Sequence, residues 1–210
     1  MLFLRQAGTP GTRSACFPTD EPADAASLRK AASLRGAVSL RWPESPCEAG
    51  RPGPASMTAG VGAVVTGAAT AWVAPVTAAR QTAAALGCEA LDAPELAEAD
   101  AGRWRGLPYA RVAEAEPGGL AAWLGDPEAA PHGGESLARL AARVSRWLDA
   151  AAADAVVICD VGVIRAALGH ALGLGPAATA RFDVAPLSTT ELVPVRGGWR
   201  VAHVNRKVVT

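Results

Sequence analysis

Three short apolar runs, each stopping abruptly at a polar or turn-forming residue, constrain the fold of this chain more than any other feature. Leu2 to Leu4 ends at Arg5, Ala71 to Val73 at Ala74-Pro75, and Ala155 to Cys159 at Asp160. Runs of this length without apolar/polar alternation mark strands covered on both faces. Helical patterns follow the second and third runs, Ala78 to Leu86 before Gly87 and Val163 to Leu172 before Gly173, with glycine as the stop. A further helix is predicted from Ser136 to Ala152, where Leu137, Leu140, Val144 and Leu148 recur at helical spacing. Thr190 to Val193 and Trp199 to Val204 read as two strands joined at Gly197-Gly198, with Pro194 ending the first. Strands alternating with helices predict an α/β domain with a largely parallel sheet. Ligands collect at the carboxyl ends of such strands, so Arg5, the Ala74-Pro75 step and Asp160 are predicted to share a pocket.

With 210 residues, 50% of them hydrophobic, the chain can bury a substantial core, and one domain over 1–210 is expected. Twenty basic residues balance twenty acidic ones, so no nucleic-acid or anionic-membrane partner is expected. Met1 to Arg5 is too short to be a signal-peptide core and no later run has the length of a membrane span. A soluble, cytoplasmic protein is therefore expected. Cys16, Cys47, Cys88 and Cys159 lack zinc-ligand spacing and read as free thiols. The stretch from Gly11 to Pro46, rich in Pro, Ser and Arg, repeats Ser-Leu-Arg at Ser27, Ser33 and Ser39. That period of six fits neither helix nor strand well, and the segment is expected to be a solvated insertion at about 11–46, part helix and part loop, able to cover the pocket.

Six segments, in order, resemble the histidine phosphatase (phosphoglycerate mutase-like) superfamily, particularly its α-ribazole phosphatase-like branch. Leu4-Arg5-Gln6-Ala7-Gly8-Thr9 stands where the family has Arg-His-Gly or Arg-His-Ala followed by Thr. Ala74-Pro75-Val76-Thr77-Ala78-Ala79-Arg80-Gln81-Thr82-Ala83 is similar to Ser-Pro-x-x-Arg-x-x-Gln-Thr-Ala. Leu96 to Gly106 is similar to Leu-x-Glu-x-Asp-x-Gly-x-Trp-x-Gly, and Gly133-Gly134-Glu135-Ser136, Val156 to Arg165 and Pro186-Leu187-Ser188 complete the series. The resemblance implies a three-layer αβα sandwich around a largely parallel sheet.

It also implies a dismantled site. The family's chemistry uses a nucleophilic His, a second His, two Arg that hold phosphoryl oxygens, and a carboxylic acid that protonates the leaving oxygen. By that alignment the two His positions are Gln6 and Asp160, the second Arg is Ala78 and the Ser of Ser-Pro is Ala74, leaving Arg5 and Glu98. A two-residue slip would make Arg80 the retained Arg, but the Gln-Thr-Ala landmark opposes it. The three histidines, His132, His170 and His203, lie in a Pro-rich approach, within a helix and in the last strand, and none follows an Arg at a strand end. An amide cannot attack phosphorus or shuttle a proton near neutral pH.

Two readings stand. In one, Arg5 and Asp160 close on each other and the pocket binds a neutral or zwitterionic small molecule, lined by Arg5, Gln6, Thr9, Arg13 and Thr77. In the other, Asp160 and Glu98 form a general acid/base pair for metal-free hydrolase, lyase or cyclase chemistry on a small metabolite. Residual phosphatase action on a phosphorylated metabolite is the third, least supported reading. Neither metal nor organic cofactor is expected, and a homodimer is among the expected states.

Overall fold

A computed structural model describes residues 1–35 and 70–208. In chain order the elements are β1 (Leu2–Arg5), α1 (Pro10–Arg13), α2 (Ala25–Ser33), β2 (Ala71–Val73), α3 (Thr77–Leu86), β3 (Leu91–Asp92), α4 (Tyr109–Ala115), α5 (Pro117–Gly125), α6 (Leu137–Ala150), β4 (Val156–Cys159), α7 (Val161–Leu172), α8 (Pro176–Thr179), β5 (Ser188–Val195) and β6 (Gly198–Lys207). Single-turn 3-10 helices at Pro94–Leu96 and Gly102–Trp104 lie between β3 and α4.

Among the described residues the sheet runs β3-β2-β4-β1-β5-β6. The first four strands are parallel, and β5 and β6 add an antiparallel edge. The central strand β4 is buried along its whole length, which is why Val156 to Cys159 carries no alternation. The connections β1 to β2 and β2 to β3 step one way across the sheet, whereas β3 to β4 steps back. Right-handed crossovers therefore put α2 and α3 on one face and α6 on the other. The packing agrees: α2 lies on α3, and α6 lies on α7, which also meets α8. The result is the αβα sandwich expected from the sequence.

Helix α6 shows why the pattern works. Leu140, Val144 and Leu148 are buried at successive i, i+4 positions, and Ser136 Oγ caps the helix by accepting from Arg139 N–H at 3.2 Å. Helices α3 and α7 stop at Gly87 and Gly173 as predicted. Helix α7 starts two residues earlier than its apolar pattern, because Asp160 is itself the cap.

Two expectations are corrected. Strand β5 does not end at Pro194 but pairs through it to Val195. Leu192 N–H faces β1 and donates to Met1 O; two residues on, Pro194 nitrogen faces the same side, beyond the reach of β1, where no donor is required. The described part of the Gly11–Pro46 stretch is part helix and part loop, as expected, but its second helix is packed on the core rather than solvated on all sides. Helix α2 is the β1–β2 crossover, with Ala31 and Leu34 buried in the main core and Leu28 packed against it. A period of six is two helical steps of three, so Leu28, Ala31 and Leu34 share one stripe about 120° wide. The repeat at Ser39 and Cys47 lie outside the described residues; Cys16, Cys88 and Cys159 are free thiols. Among the described residues no helix is long and apolar enough to cross a membrane.

Because Leu148 is fully buried between α6 and the sheet, Leu148→Ala is expected to cost about 2–5 kcal/mol of stability in urea unfolding, whereas Leu124→Ala, at a site 60% exposed, is expected to change it by less than about 0.5 kcal/mol.

Candidate active site

The β1–β4 register pairs Arg5 with Cys159, so the next residues, Gln6 and Asp160, emerge side by side at the strand tips. Backbone bonds extend the alignment, from Gln6 N–H to Cys159 O at 2.8 Å and from Ala74 N–H to Ile158 O at 2.9 Å. The three tips meet at a cavity of about 550 Å³, lined by Arg5, Gln6, Thr9, Ala74, Ala78, Glu98 and Asp160 among others.

Asp160 accepts three hydrogen bonds. Arg5 Nε donates to Oδ1 at 2.9 Å, Gln6 Nε2 to Oδ2 at 3.2 Å, and Val161 N–H to Oδ1 at 2.7 Å. Arg5 also donates from Nη1 to Val184 O at 2.6 Å. The Asp160 carboxylate fixes the Gln6 amide orientation, since the reverse would set oxygen against oxygen. Gln6 Oε1 is consequently buried without a partner among the described residues.

Glu98 reaches the same helix end from the opposite wall. Its Oε2 accepts from Gly162 N–H at 2.8 Å and its Oε1 from Ala99 N–H at 2.9 Å. Burial, then the charge of Asp160, pushes its carboxyl up to about 7 against the pull of those two backbone donors. A β-carbon at Gly162 would overlap the Glu98 carboxylate, so only glycine admits this approach. The first turn of α7, where a helix dipole and free N–H groups welcome anions, is thus occupied by two of the protein's own carboxylates.

The loop carrying Glu98 is held from several sides. Arg143 of α6 donates from Nη1 to the carbonyls of Glu95 (2.6 Å) and Ala97 (3.0 Å), while its Nε and Nη2 engage Glu135 at 3.0 and 2.6 Å. Farther on, the loop lies backbone to backbone on the Gly133-Gly134 segment, with Glu135 N–H donating to Asp100 O at 2.8 Å and Arg103 N–H to His132 O at 3.0 Å. Gly102 has φ 50° and meets the His132 carbonyl so closely that a side chain there would collide with it. Trp104 is fully buried in a small second core with Phe17, Ala101 and Val112.

The structure separates the remaining sequence candidates. Thr9 lines the cavity, but its Oγ1 accepts from Thr12 N–H at 3.1 Å as the cap of α1. Arg13 turns outward to Asp24, 2.8 Å from Nη2 to Oδ1. Thr77 is not part of the lining, and its N–H donates to Asp20 Oδ1 at 2.7 Å. Neither Arg13 nor Thr77 therefore reaches the pocket as expected. Arg80 points away to Asp92 at 2.8 Å while Ala78 faces the cavity, which agrees with the alignment anchored on Gln-Thr-Ala. That landmark is structural here: Gln81 Oε1 accepts from Ala23 N–H at 2.8 Å and buried Thr82 Oγ1 from Ala7 N–H at 2.9 Å.

None of the three histidines stands beside Arg5. His132 Nδ1 accepts from Gly134 N–H at 3.0 Å, and its ring packs on Trp104 with centroids 5.0 Å apart. His170 lies 2.7 Å from Asp149, and His203 lies 3.0 Å from Thr189 Oγ1. Sequence reasoning missed Gly162 and Arg143, which share no motif with the residues they position. It also missed Asp20, Glu21, Asp100 and Arg105, which line the pocket together with Asp160, Glu98 and Arg5. Among the described residues no group of three or more His, Cys, Asp or Glu side chains is placed to hold a metal ion.

Known proteins carry the same architecture. A mycobacterial glucosyl-3-phosphoglycerate phosphatase superposes with a TM-score of 0.75 at 22% identity, covering 99% of this chain and 98% of that one. The α-ribazole phosphatase from Shigella flexneri gives a TM-score of 0.75 at 14% identity over 100% of this chain and 97% of its own. At these identities the likeness is one of fold. The bifunctional protein Rv2228c of Mycobacterium tuberculosis is 36% identical over 123 residues, 55% of this chain but 33% of that protein's length. The sequence pattern of the histidine phosphatase superfamily (branch 1) matches residues 61–207. With the six ordered motifs and the sheet that joins them, that match makes this chain a member of the histidine phosphatase superfamily.

Proposed function

We propose that this protein is a pseudophosphatase that has lost phosphohistidine chemistry and binds a small non-phosphorylated molecule, neutral or zwitterionic, in the former phosphoryl pocket. The observation that carries this reading is the closure of Arg5 on Asp160 at 2.9 Å, at a helix end already serving Asp160 and Glu98. A phosphate dianion would have to compete with two internal carboxylates for the same donors. Each carboxylate facing it at about 4 Å costs about 4 kcal/mol per pair of unit charges at an effective dielectric near 20. Five carboxylates line the cavity against two guanidiniums, so the field opposes a doubly negative ligand throughout. Gln6 offers no nucleophilic lone pair, and Ala78 puts no guanidinium where the motif alignment places the family's second Arg. A cytoplasmic location accords with free thiols at Cys16, Cys88 and Cys159.

A second reading is favoured by one observation. Glu98, pushed up to about 7, is poised to give or take a proton at neutral pH, while the neighbouring Asp160 carries its own set of donors. Two carboxyls in such different environments are the arrangement general acid/base chemistry uses. In that case the protein is a metal-free hydrolase, lyase or cyclase of small-molecule metabolism with Glu98 and Asp160 as catalytic residues.

With p-nitrophenyl phosphate and a panel of phosphorylated metabolites, turnover is expected to equal the enzyme-free rate, and Arg5→Ala and Asp160→Ala are expected to leave it there. Phosphate release that survives Asp160→Ala would overturn both readings. Thermal stabilisation by a non-phosphorylated metabolite without turnover supports the binding protein, and turnover abolished by Asp160→Ala or Glu98→Gln supports the enzyme. Glu98 also predicts a pH dependence of stability. Its folded value of about 7 lies above the ordinary 4.5, so its contribution is complete below the lower value and lost as pH rises through the upper one. Urea unfolding is therefore expected to show a loss on the order of 2 kcal/mol between about pH 5 and about pH 8, flattened in Glu98→Gln.

A further inference from the structure

A second cavity, of about 460 Å³, opens beside the first and shares Phe17, Tyr109, Glu98 and Val161 with it as a common wall. Glu98 thus stands at a junction. On one side are Asp160 and the acidic pocket. On the other, the cavity runs over α6, α7 and α8 along Leu137, Leu140, Ala141, Ala166, Leu174 and Ala177, a largely apolar lining broken by Ser145, Arg165 and His170; the Arg165 guanidinium is turned to Phe182 O, 2.8 Å from Nη2. The wall at the junction is aromatic: Phe17 stacks on Tyr109 with centroids 4.1 Å apart, and Trp123 approaches Phe17 at 5.6 Å. Aromatic faces carry negative electrostatic potential and pair with cations, more strongly where water is partly excluded.

From this juxtaposition we infer that the two cavities form one bipartite site for an amphipathic amine, its ammonium held at the Glu98–Asp160 junction and its hydrocarbon chain lying in the α6–α7–α8 groove. The inference rests on the non-phosphoryl pocket proposed above and names the class of ligand that pocket takes. Charge selects the head, since the carboxylates that repel phosphate attract an ammonium, and the partly exposed Tyr109 ring beside them favours a cation as well. Continuity selects the tail. A chain leaving the junction meets apolar side chains rather than the charged mouth of the first cavity near Arg105 and Glu21, and burial of each methylene adds favourable transfer free energy.

The test is calorimetric titration of the full chain with n-butylamine, n-hexylamine and n-octylamine, set beside hexyl phosphate and hexanoate. Affinity is expected to rise about fourfold per added methylene, with hexylamine bound at least about tenfold more tightly than hexyl phosphate or hexanoate. Asp160→Asn is expected to weaken all three amines by about tenfold while keeping the chain-length slope. Ala177→Trp, a substitution at an exposed position of the groove, is expected to flatten that slope. Amine preference with no chain-length slope in the wild type would overturn the bipartite site but leave the pseudophosphatase reading standing. Preference for hexyl phosphate would overturn that reading as well. A dimer in sedimentation that Ala177→Trp dissociates would assign the groove to a second copy of this chain and overturn the ligand proposal.

Discussion

The contact on which the site depends is the one between the tips of β1 and β4. Parallel pairing of Arg5 with Cys159 leaves no freedom about what stands beside what at the next position: Gln6 and Asp160 must be neighbours, and the Arg5 and Gln6 side chains both reach Asp160. Once an aspartate occupies the cap of α7, the guanidinium and the carboxylate close on each other with the first helical N–H as a third partner. Such a closure is not primarily a source of stability, because partly buried ion pairs spend much of their attraction on desolvation. What it does is consume the donors that a phosphoryl group would need.

A second set of contacts fixes the opposite wall. Glu98 sits on a loop with little regular structure of its own, yet its carboxylate is delivered to the α7 end by bonds made far from it. Arg143 holds the carbonyls on either side of the preceding turn, and the Asp100–Arg103 backbone is laced to His132–Glu135. The close approach at Gly102 accounts for glycine in the Asp-x-Gly-x-Trp segment, and Trp104 anchors the loop in its small core. Segments that look like catalytic motifs in the sequence are thus largely devices for holding one carboxyl group in place, partly buried and close to a like charge. That position raises its proton affinity, and the bonds from Ala99 and Gly162 offset part of the cost.

The fold was readable because its strands are short, doubly buried and cleanly terminated, and because α3 and α7 end at glycines in the left-handed conformation. Strand tips are also where parallel sheets collect ligands, so Arg5, Gln6, Glu98 and Asp160 could be gathered from pattern and resemblance before any coordinates. What stayed hidden was orientation. Arg13 is near the pocket in sequence terms but is drawn off by Asp24, and Thr77 falls outside the lining with its backbone N–H on Asp20, partners that no spacing rule connects to them. Helix α2 was obscured because its buried stripe, Leu28, Ala31 and Leu34, advances by threes, so the Ser-Leu-Arg repeat that carries its two leucines read as a period of six rather than as two helical steps. Gly162 was invisible for the opposite reason: its importance lies in an atom it lacks.

One residue therefore changes the electrostatic class of the pocket. An imidazole at the cap of α7 would leave Arg5 unpaired and the Val161 N–H open, and the helix end would remain an anion site partly shared with Glu98. A carboxylate there satisfies those donors from within and turns the neighbouring field negative, at once raising the proton affinity of Glu98. Burial remains the larger cause of the raised Glu98 carboxyl, and the charge of Asp160 adds to it from the start of a helix whose dipole and N–H groups accommodate an anion. On the reading proposed above, that same carboxylate is what opposes a phosphate at the helix end.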